Sequence, residues 1–494
     1  MIARCDGTVR RVPRPWSAPP TPADRVRYAD AEPTPFWVRP RAALPVLEGR
    51  VAADLCIVGG GFTGLWAALL AKGDEPSRSV VVLEGDRVGA GASGRNGGFV
   101  DASLTHGIDN GLARFADEIE VLERLGHENF AGMRADLDRL GVDCAWTEPG
   151  EIAVSLEAHE DAWLEEAAAT LREFGHDVEV LDGEAMRAEV ASPTYRGGLW
   201  NKTGAALVDP GRLGDGLLEA ALAAGVGVFE RSPAVALEAA GSPPMSPGDR
   251  RPSGRGVDVR TPAGAVAAQR VVLATSAYRP LLRRLQAYVA PVYDYVLVTE
   301  PLTAEQRRSI GWELGQGLAD MGNRFHYYRL TPDGRILFGG YEAVYRYGGP
   351  VLTAPDHQET FALLSRNFIT TFPQLEDVRF AYRWGGAIDT CSRFSVFFGT
   401  ALGGRASYAL GYTGLGVGAT RFGARVALDL VDGRETEATR LRYVRRKPVP
   451  FPPEPLRTGV IALTRNRLAA ADDAEGRRGV WLRTLDRLGL GFDS

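Results

Sequence analysis

Six residues, Gly59-Gly-Gly-Phe-Thr-Gly64, constrain the fold of this 494-residue chain more than any other feature. Residues 54–58 before them read as a buried strand. Leu65–Ala71 after them is apolar on every face and reads as a buried helix. A strand, a glycine turn and a helix with Gly-x-Gly-x-x-Gly spacing let backbone N–H groups approach a pyrophosphate at the helix start. Ser79–Glu84 reads as a second buried strand, because continuous apolar runs suit a parallel sheet covered on both faces. Its last residue, Glu84, lies 20 positions after Gly64. A carboxylate there accepts hydrogen bonds from a ribose 2′-OH. Together these features predict an α/β fold with a dinucleotide site, for FAD or NAD rather than NADP.

Glycine supplies 59 of the 494 residues, well above the roughly 7% usual in proteins. Its informative part lies in three clusters: Gly59–Gly64, Gly89–Gly98 and Gly411–Gly418. The net charge of −5 argues against a nucleic-acid partner bound through a broad basic surface. The four cysteines contain no Cys-x-x-Cys, and the six histidines contain no i,i+4 pair, so no metal site is expected. Lysine is rare: Lys72, Lys202 and Lys447 are the only three. Residues 1–7 carry charge and lead into no apolar stretch. Leu55–Ala71, the longest uncharged run, is short for a membrane span and broken by glycines. The expectation is a cytoplasmic protein with no integral membrane span.

Residues 1–48 hold nine of the 31 prolines and predict an extended arm that lies on the body or is partly disordered. Helical, charge-rich sequence fills 112–140 and 157–175, with a strand at Glu151–Ser155. An amphipathic helix covers Leu213–Ala224, and a proline-rich surface loop covers 241–256. Arg270–Thr275 is another buried strand. Between 288 and 384 the pattern turns to β, with strands at Val292–Thr299, Phe325–Leu330 and Arg335–Gly339. Ser407–Leu410 leads through the last glycine cluster into a helix ending near Leu430. The tail from Arg434 reads as arginine-rich and weakly helical. Its basic run (Arg440, Arg442, Arg445, Arg446, Lys447) is read as a solvated segment, or as a contact for an acidic partner or an anionic membrane surface.

The second glycine cluster, Gly89-Ala-Gly-Ala-Ser-Gly-Arg95-Asn-Gly-Gly98, suits a loop crossing a cofactor's phosphates and ring. Here the chain resembles the D-amino-acid-oxidase-like family of FAD-dependent oxidoreductases, most of all its gamma-glutamylputrescine oxidase branch. The resemblance covers roughly 50–435. It continues through Ala206–Leu213, Val271–Tyr278, Tyr328–Arg335, Arg383–Asp389 and Gly411–Gly416, in family order. It implies a Rossmann-like FAD-binding domain interleaved with an antiparallel-sheet (α+β) substrate domain. The boundaries it suggests are 49–145 with 206–282 and 385–435 for the first, and 146–205 with 283–384 for the second. The arm 1–48 and the tail 436–494 lie outside both.

The resemblance further implies FAD held by Gly59, Gly61, Phe62, Thr63, Gly64 and Glu84 in the first motif. In the second it implies Ala92, Ser93, Arg95, Asn96, Gly97 and Gly98. Ala234 and Thr275 join them, with Gly411, Gly414, Leu415, Gly416 and Val417 in the last loop. The implied reaction oxidises the C–N bond of a small amine or amino acid by hydride transfer to flavin N5, with O2 or another acceptor taking the electrons. A flavin-dependent dehydrogenase of a hydroxy compound and a non-catalytic FAD-binding subunit are the alternatives. Candidate catalytic residues are His106, His326, Tyr328, Trp384 and Tyr412. His326 and Tyr328 share one strand face by period two. His326 has a second reading as a hydrogen-bonded core histidine, and Trp384 and Tyr412 have one as packing aromatics. Two lysines of the sarcosine oxidase relatives are missing, at Gly418 and near Leu337. Neither His106 nor Cys391 matches a covalent attachment position of the family, so non-covalent FAD is expected.

Overall fold

A computed structural model describes Trp16 and residues 18–239, 256–351 and 356–491. The loop expected at 241–256 and Cys5 lie outside the described residues, Gly256 excepted. The central element is the strand Gly49–Val58. It pairs in parallel with Gly264–Leu273 on one side and Val80–Leu83 on the other. The sheet continues in parallel to Gly227–Phe229 beyond Val80–Leu83, and to Ala406–Leu410 beyond Gly264–Leu273. Phe397–Ala401 closes it as an antiparallel edge.

Side-chain alternation along the central strand gives the sheet two cores. Leu55 and Ile57 face the helices Phe62–Asp74, Pro210–Ala223 and Gly416–Asp432. Cys56 and Val58 face the opposite side, where Val257 and Val259 of a short antiparallel ribbon cover them. Burial on both faces explains the continuous apolar runs. The central strand starts at Gly49, earlier than expected, because residues 49–53 pair with 264–268 despite their polar neighbours.

The second sheet has nine strands. Its longest pairing joins Ala290–Thr299 to Phe380–Thr390 along nearly their whole lengths. Glu151–Ser155 forms as expected and pairs in parallel with Gly317–Asp320. The helix Gln358–Thr371 packs its Phe361, Leu364 and Phe368 against one face of this sheet.

Both ends of the chain are structural. Trp16, Tyr28 and Ala31 of the arm are buried in the core of the second sheet. Trp37 is fully buried, and its indole N–H donates to the carbonyl of Asn96 at 2.8 Å. The basic run is exposed, as read from sequence, while Leu441, Tyr443 and Val444 between its members are buried. Beyond it the weakly helical tail is corrected: Leu456–Asp472 and Val480–Arg487 are helices. Sequence polarity hid them, because only Ala471 and Asp472 of the first and Leu482 of the second are buried. The Asp472 carboxylate fixes the first helix, accepting from the backbone N–H groups of Asn323 (3.0 Å) and Arg324 (3.1 Å) and from the Asn323 amide (2.6 Å).

Removing a buried carboxylate that satisfies several donors leaves them unpaired, at a cost of about 2–4 kcal/mol. Asp472→Ala is therefore expected to release the C-terminal helices. Limited proteolysis checks this: cleavage within 446–491 should precede cleavage of the body in the variant and not in the wild type.

Candidate active site

The parallel strands all end at one edge, where Gly59, Glu84, Ala274 and Gly411 follow their last residues. In an open α/β sheet the crevice beyond the carboxyl ends is where ligands bind. Here it is a cavity of about 1400 Å³. That exceeds the roughly 300–1,000 Å³ of ordinary ligand pockets, so it has room for a large cofactor and a second molecule.

Its floor is built by close backbone approach. Gly59 has φ +113°, and a Cβ there would sit 2.3 Å from the Ala274 carbonyl oxygen. A Cβ on Gly64 would sit 1.9 Å from the Gly59 oxygen. No side chain fits either position, so the turn stays flush with the helix start. Glu84 accepts from the N–H groups of Gly60 (2.7 Å) and Asp86 (2.9 Å), and burial raises its pKa. Ser93 Oγ accepts from the Phe62 N–H at 2.9 Å, which docks the second glycine loop on the first. Arg95 donates to the carbonyls of Ala90 and Gly385, both at 2.9 Å, and burial lowers its pKa. The loop is held from outside by two indoles: Trp37 on Asn96 and Trp384 on the Arg95 carbonyl at 2.9 Å.

The third glycine loop closes the set. Asp389, at the end of the strand Phe380–Thr390, accepts from the Gly411 N–H at 2.7 Å, and burial pushes its pKa up to about 6. Thr63 Oγ1 donates to the Tyr412 hydroxyl at 2.9 Å, so the first and last loops are bonded directly. Leu415 gives no side-chain cap to the helix Gly416–Asp432, and Gly416 and Val417 line the cavity. The helix therefore presents its positive end to the cavity, where developing negative charge is stabilised.

The cavity brings together most of the residues expected to hold a cofactor: Gly59, Gly61, Phe62, Thr63, Glu84, Ala92, Ser93, Arg95, Asn96, Gly97, Ala234, Thr275, Gly414, Leu415, Gly416 and Val417. Gly64, Gly98 and Gly411 do not line it. An extended molecule with a pyrophosphate fits such a cradle, because the turn is stripped of side chains and an acid waits at the next strand end. Cys391 does not line the cavity; its single S–H lies within reach of the carbonyls of Ser395 and Gly411.

Of the catalytic candidates, His106 and Tyr412 line the cavity. Burial lowers the His106 pKa to about 4 and raises that of Tyr412, so both are neutral near pH 7. His326, Tyr328 and Trp384 require correction. His326 and Tyr328 do share a face, but it is the core face. His326 sits between Asp320 Oδ2 (2.6 Å) and Asn367 Nδ2 (2.9 Å), with the Tyr341 ring stacked at 4.8 Å. Tyr328 donates to Asp320 Oδ1 at 2.9 Å and accepts from Tyr195. Trp384 is buried with Trp37 and Leu337 and positions the glycine loop from behind. Leu337, where one lysine of the relatives would fall, is thus a core residue. At Gly418 a Cβ would meet the Asp101 carbonyl at 2.1 Å, so helix packing excludes any side chain there.

The opposite strand face supplies what sequence reasoning missed. Tyr327 lines the cavity and hydrogen-bonds Asp294, whose pKa burial pushes up to about 6. The period-two pattern contained this residue, but nothing in it said which face was the core. Asp101 and Glu151 also line the cavity. Burial, with Asp101 beside it, pushes the Glu151 carboxyl up to about 7. Outside the cavity, Glu123, His127 and His176 bring polar atoms within 4.8 Å of one another. His176 bridges Glu123 and Asn201, at 3.3 Å to each.

Comparisons with known proteins agree with this geometry. The family described as "FAD dependent oxidoreductase" matches residues 54–430. The gamma-glutamylputrescine oxidoreductase of Escherichia coli (strain K12) is 32% identical over 401 residues, covering 79% of this chain and 86% of that protein. A probable oxidoreductase, OrdL, of Haemophilus influenzae is 29% identical, covering 79% of this chain and 85% of that protein. Among solved structures, glycine oxidase from Geobacillus kaustophilus matches with a TM-score of 0.65 at 20% identity, covering 80% of this chain and 99% of that one.

Two outcomes follow. Glu84→Ala removes a charged hydrogen-bond acceptor of about 1.5–3 kcal/mol, so FAD affinity should fall roughly 10–100-fold, read by fluorescence titration of the apoprotein. Glu151 titrates higher in the fold (about 7) than its ordinary value of 4.5. Its contribution is whole below pH 4.5 and lost as pH rises through 7. Between pH 5 and 8 the wild type should lose on the order of 1–3 kcal/mol relative to Glu151→Gln, measured by urea unfolding of the two at each pH.

Proposed function

The chain belongs to the FAD dependent oxidoreductase family, and on that premise we propose that it oxidises a carbon–nitrogen bond of an amine or amino acid. One observation carries the reading: the glycine loops and the Tyr327–Asp294 pair of the second sheet face a single cavity. The relatives support it, since one is named for an amine, gamma-glutamylputrescine, and a structural neighbour for glycine. When bound, FAD supplies the two-electron acceptor such an oxidation requires.

The protein's own residues do the rest. Gly59, Gly61, Glu84, Ser93 and Arg95, which line the cavity, would hold the nucleotide, and the helix start at Gly416 would stabilise negative charge on the bound group. Neutral His106 and Tyr412 line the cavity without adding a charge that would repel a cation. Asp294, titrating near 6 beside Tyr327, stands within reach of a proton from a substrate ammonium. Loss of that proton frees the nitrogen lone pair, which then stabilises the adjacent carbon as it gives up a hydride. The substrate leaves as an imine, and water hydrolyses it to a carbonyl compound and ammonia, or to a carbonyl compound and an amine where the substrate nitrogen carries a second carbon.

The two sheets are the centres of two interleaved domains, 49–145 with 206–282 and 385–435, and 146–205 with 283–384. Of the described strands of these two sheets, Phe380–Thr390 alone crosses from one set of ranges to the other. FAD is held without a covalent bond, a reading supported by the absence of Cys391 from the cavity lining, where its thiol instead meets the carbonyls of Ser395 and Gly411. No described helix is long and apolar enough to cross a membrane. Cytoplasmic residence is supported by three free, buried thiols at Cys56, Cys144 and Cys391.

An anaerobic panel of amines, amino acids and hydroxy acids tests the reaction. Amines or amino acids should bleach the flavin absorbance, and readmitted air then distinguishes O2 from another acceptor. Bleaching by hydroxy acids alone overturns the C–N assignment; bleaching by dithionite alone points to a non-catalytic flavoprotein. Acid precipitation should leave the yellow colour in the supernatant.

A further inference from the structure

The family match ends at residue 430, yet the cavity does not. Its outer wall is built by residues 449–490, in three pieces. The first is the extended segment 449–452, fixed where Ser392 Oγ donates to the Val449 carbonyl at 2.7 Å and the Phe451 N–H donates to the Ala287 carbonyl at 2.6 Å. The second is the helix Leu456–Asp472, anchored at its far end by Asp472 on Asn323 and Arg324. The third is the helix Val480–Arg487 with the turn after it. Arg114 bonds the Gly491 carbonyl and so ties this piece to the first domain.

What these pieces turn toward the cavity is mainly apolar. Ile461, Thr464 and Leu468 recur at helical spacing on one face of Leu456–Asp472, and all three line the cavity. Leu482 and Leu485 line it from the next helix, and Phe451 from the extended segment. Most polar groups of the segment lie at its anchors, Asp472 on Arg324 and Glu454 on Tyr345 at 2.7 Å; Arg465 and Asn466 also line the cavity, Arg465 within 4.0 Å of Glu342. Such a distribution fits a wall that is fastened by charge and makes contact by dispersion and burial.

We propose that residues 449–490 form a binding subsite for an extended apolar substituent, so that the substrate is an amine or amino acid carrying an alkyl or aryl chain. The inference rests on the amine reading above only for the head group; the subsite itself is independent of it. The reactive nitrogen lies toward the glycine loops and Tyr327. The chain runs outward between Phe451, Ile461, Leu468 and Leu485.

The test uses the FAD-loaded full-length enzyme and three straight-chain series from two to eight carbons: primary amines, primary alcohols and carboxylates. Binding is read as perturbation of the flavin absorbance under anaerobic conditions and, in parallel, by calorimetry. Burial of a methylene contributes about 0.8 kcal/mol, so Kd should fall roughly fourfold per added carbon until the wall is filled. Ile461→Ser with Leu468→Ser should flatten that slope. Ile461→Trp, which fills the space and leaves the wall apolar, should cut the series short at fewer carbons. A slope in the alcohols or carboxylates but not in the amines keeps the subsite and overturns the amine head group. No slope in any series, or a slope that both variants leave unchanged, overturns the subsite.

Discussion

The site depends on one close contact between backbones. The turn after the central strand passes so near the Ala274 carbonyl and the following helix that Gly59 and Gly64 have no room for a β-carbon. Steric exclusion of this kind costs nothing to maintain and tolerates no substitution. It sets the helix start flush with the sheet edge, and every later loop is positioned against that edge. Ser93 binds the Phe62 N–H, and Tyr412 binds Thr63, so the second and third loops are located by the first.

The two sheets are joined by more than a shared cavity. Phe380–Thr390 pairs along Ala290–Thr299 in the second sheet, and its end carries Asp389 to the Gly411 N–H of the first. Trp384, on the same strand, holds the Arg95 carbonyl. One strand thus orients two of the three glycine loops, and displacing it would displace both. Burial raises the Asp389 pKa, so the carboxylate that makes this link carries a desolvation cost that its backbone donors offset.

Much of the first sheet was legible in the sequence. Strands buried on both faces need unbroken apolar runs, and glycine turns at fixed spacing leave few alternatives. The second sheet was legible as strands but not as faces. His326, Tyr327 and Tyr328 are all hydrogen-bonding aromatics, and alternation separates them without saying which side meets solvent, core or ligand. The decision is made by Phe361 and Phe368 of a helix some 30 residues later, which cover the His326 side. The tail was least legible. Its apolar residues are spaced for a narrow contact with a cavity, and composition shows only the arginines around them.

The outer wall of the cavity follows, in the sequence, every other residue that lines it. Synthesis runs from the N-terminus, and domains fold as they emerge. The three glycine loops and the helix Gly416–Asp432 are all complete before residues 449–490 leave the ribosome. Residues 449–490 are therefore added over loops made before them, and the contacts of Asp472 with Asn323 and Arg324 and of Gly491 with Arg114 fasten that wall to both parts of the body.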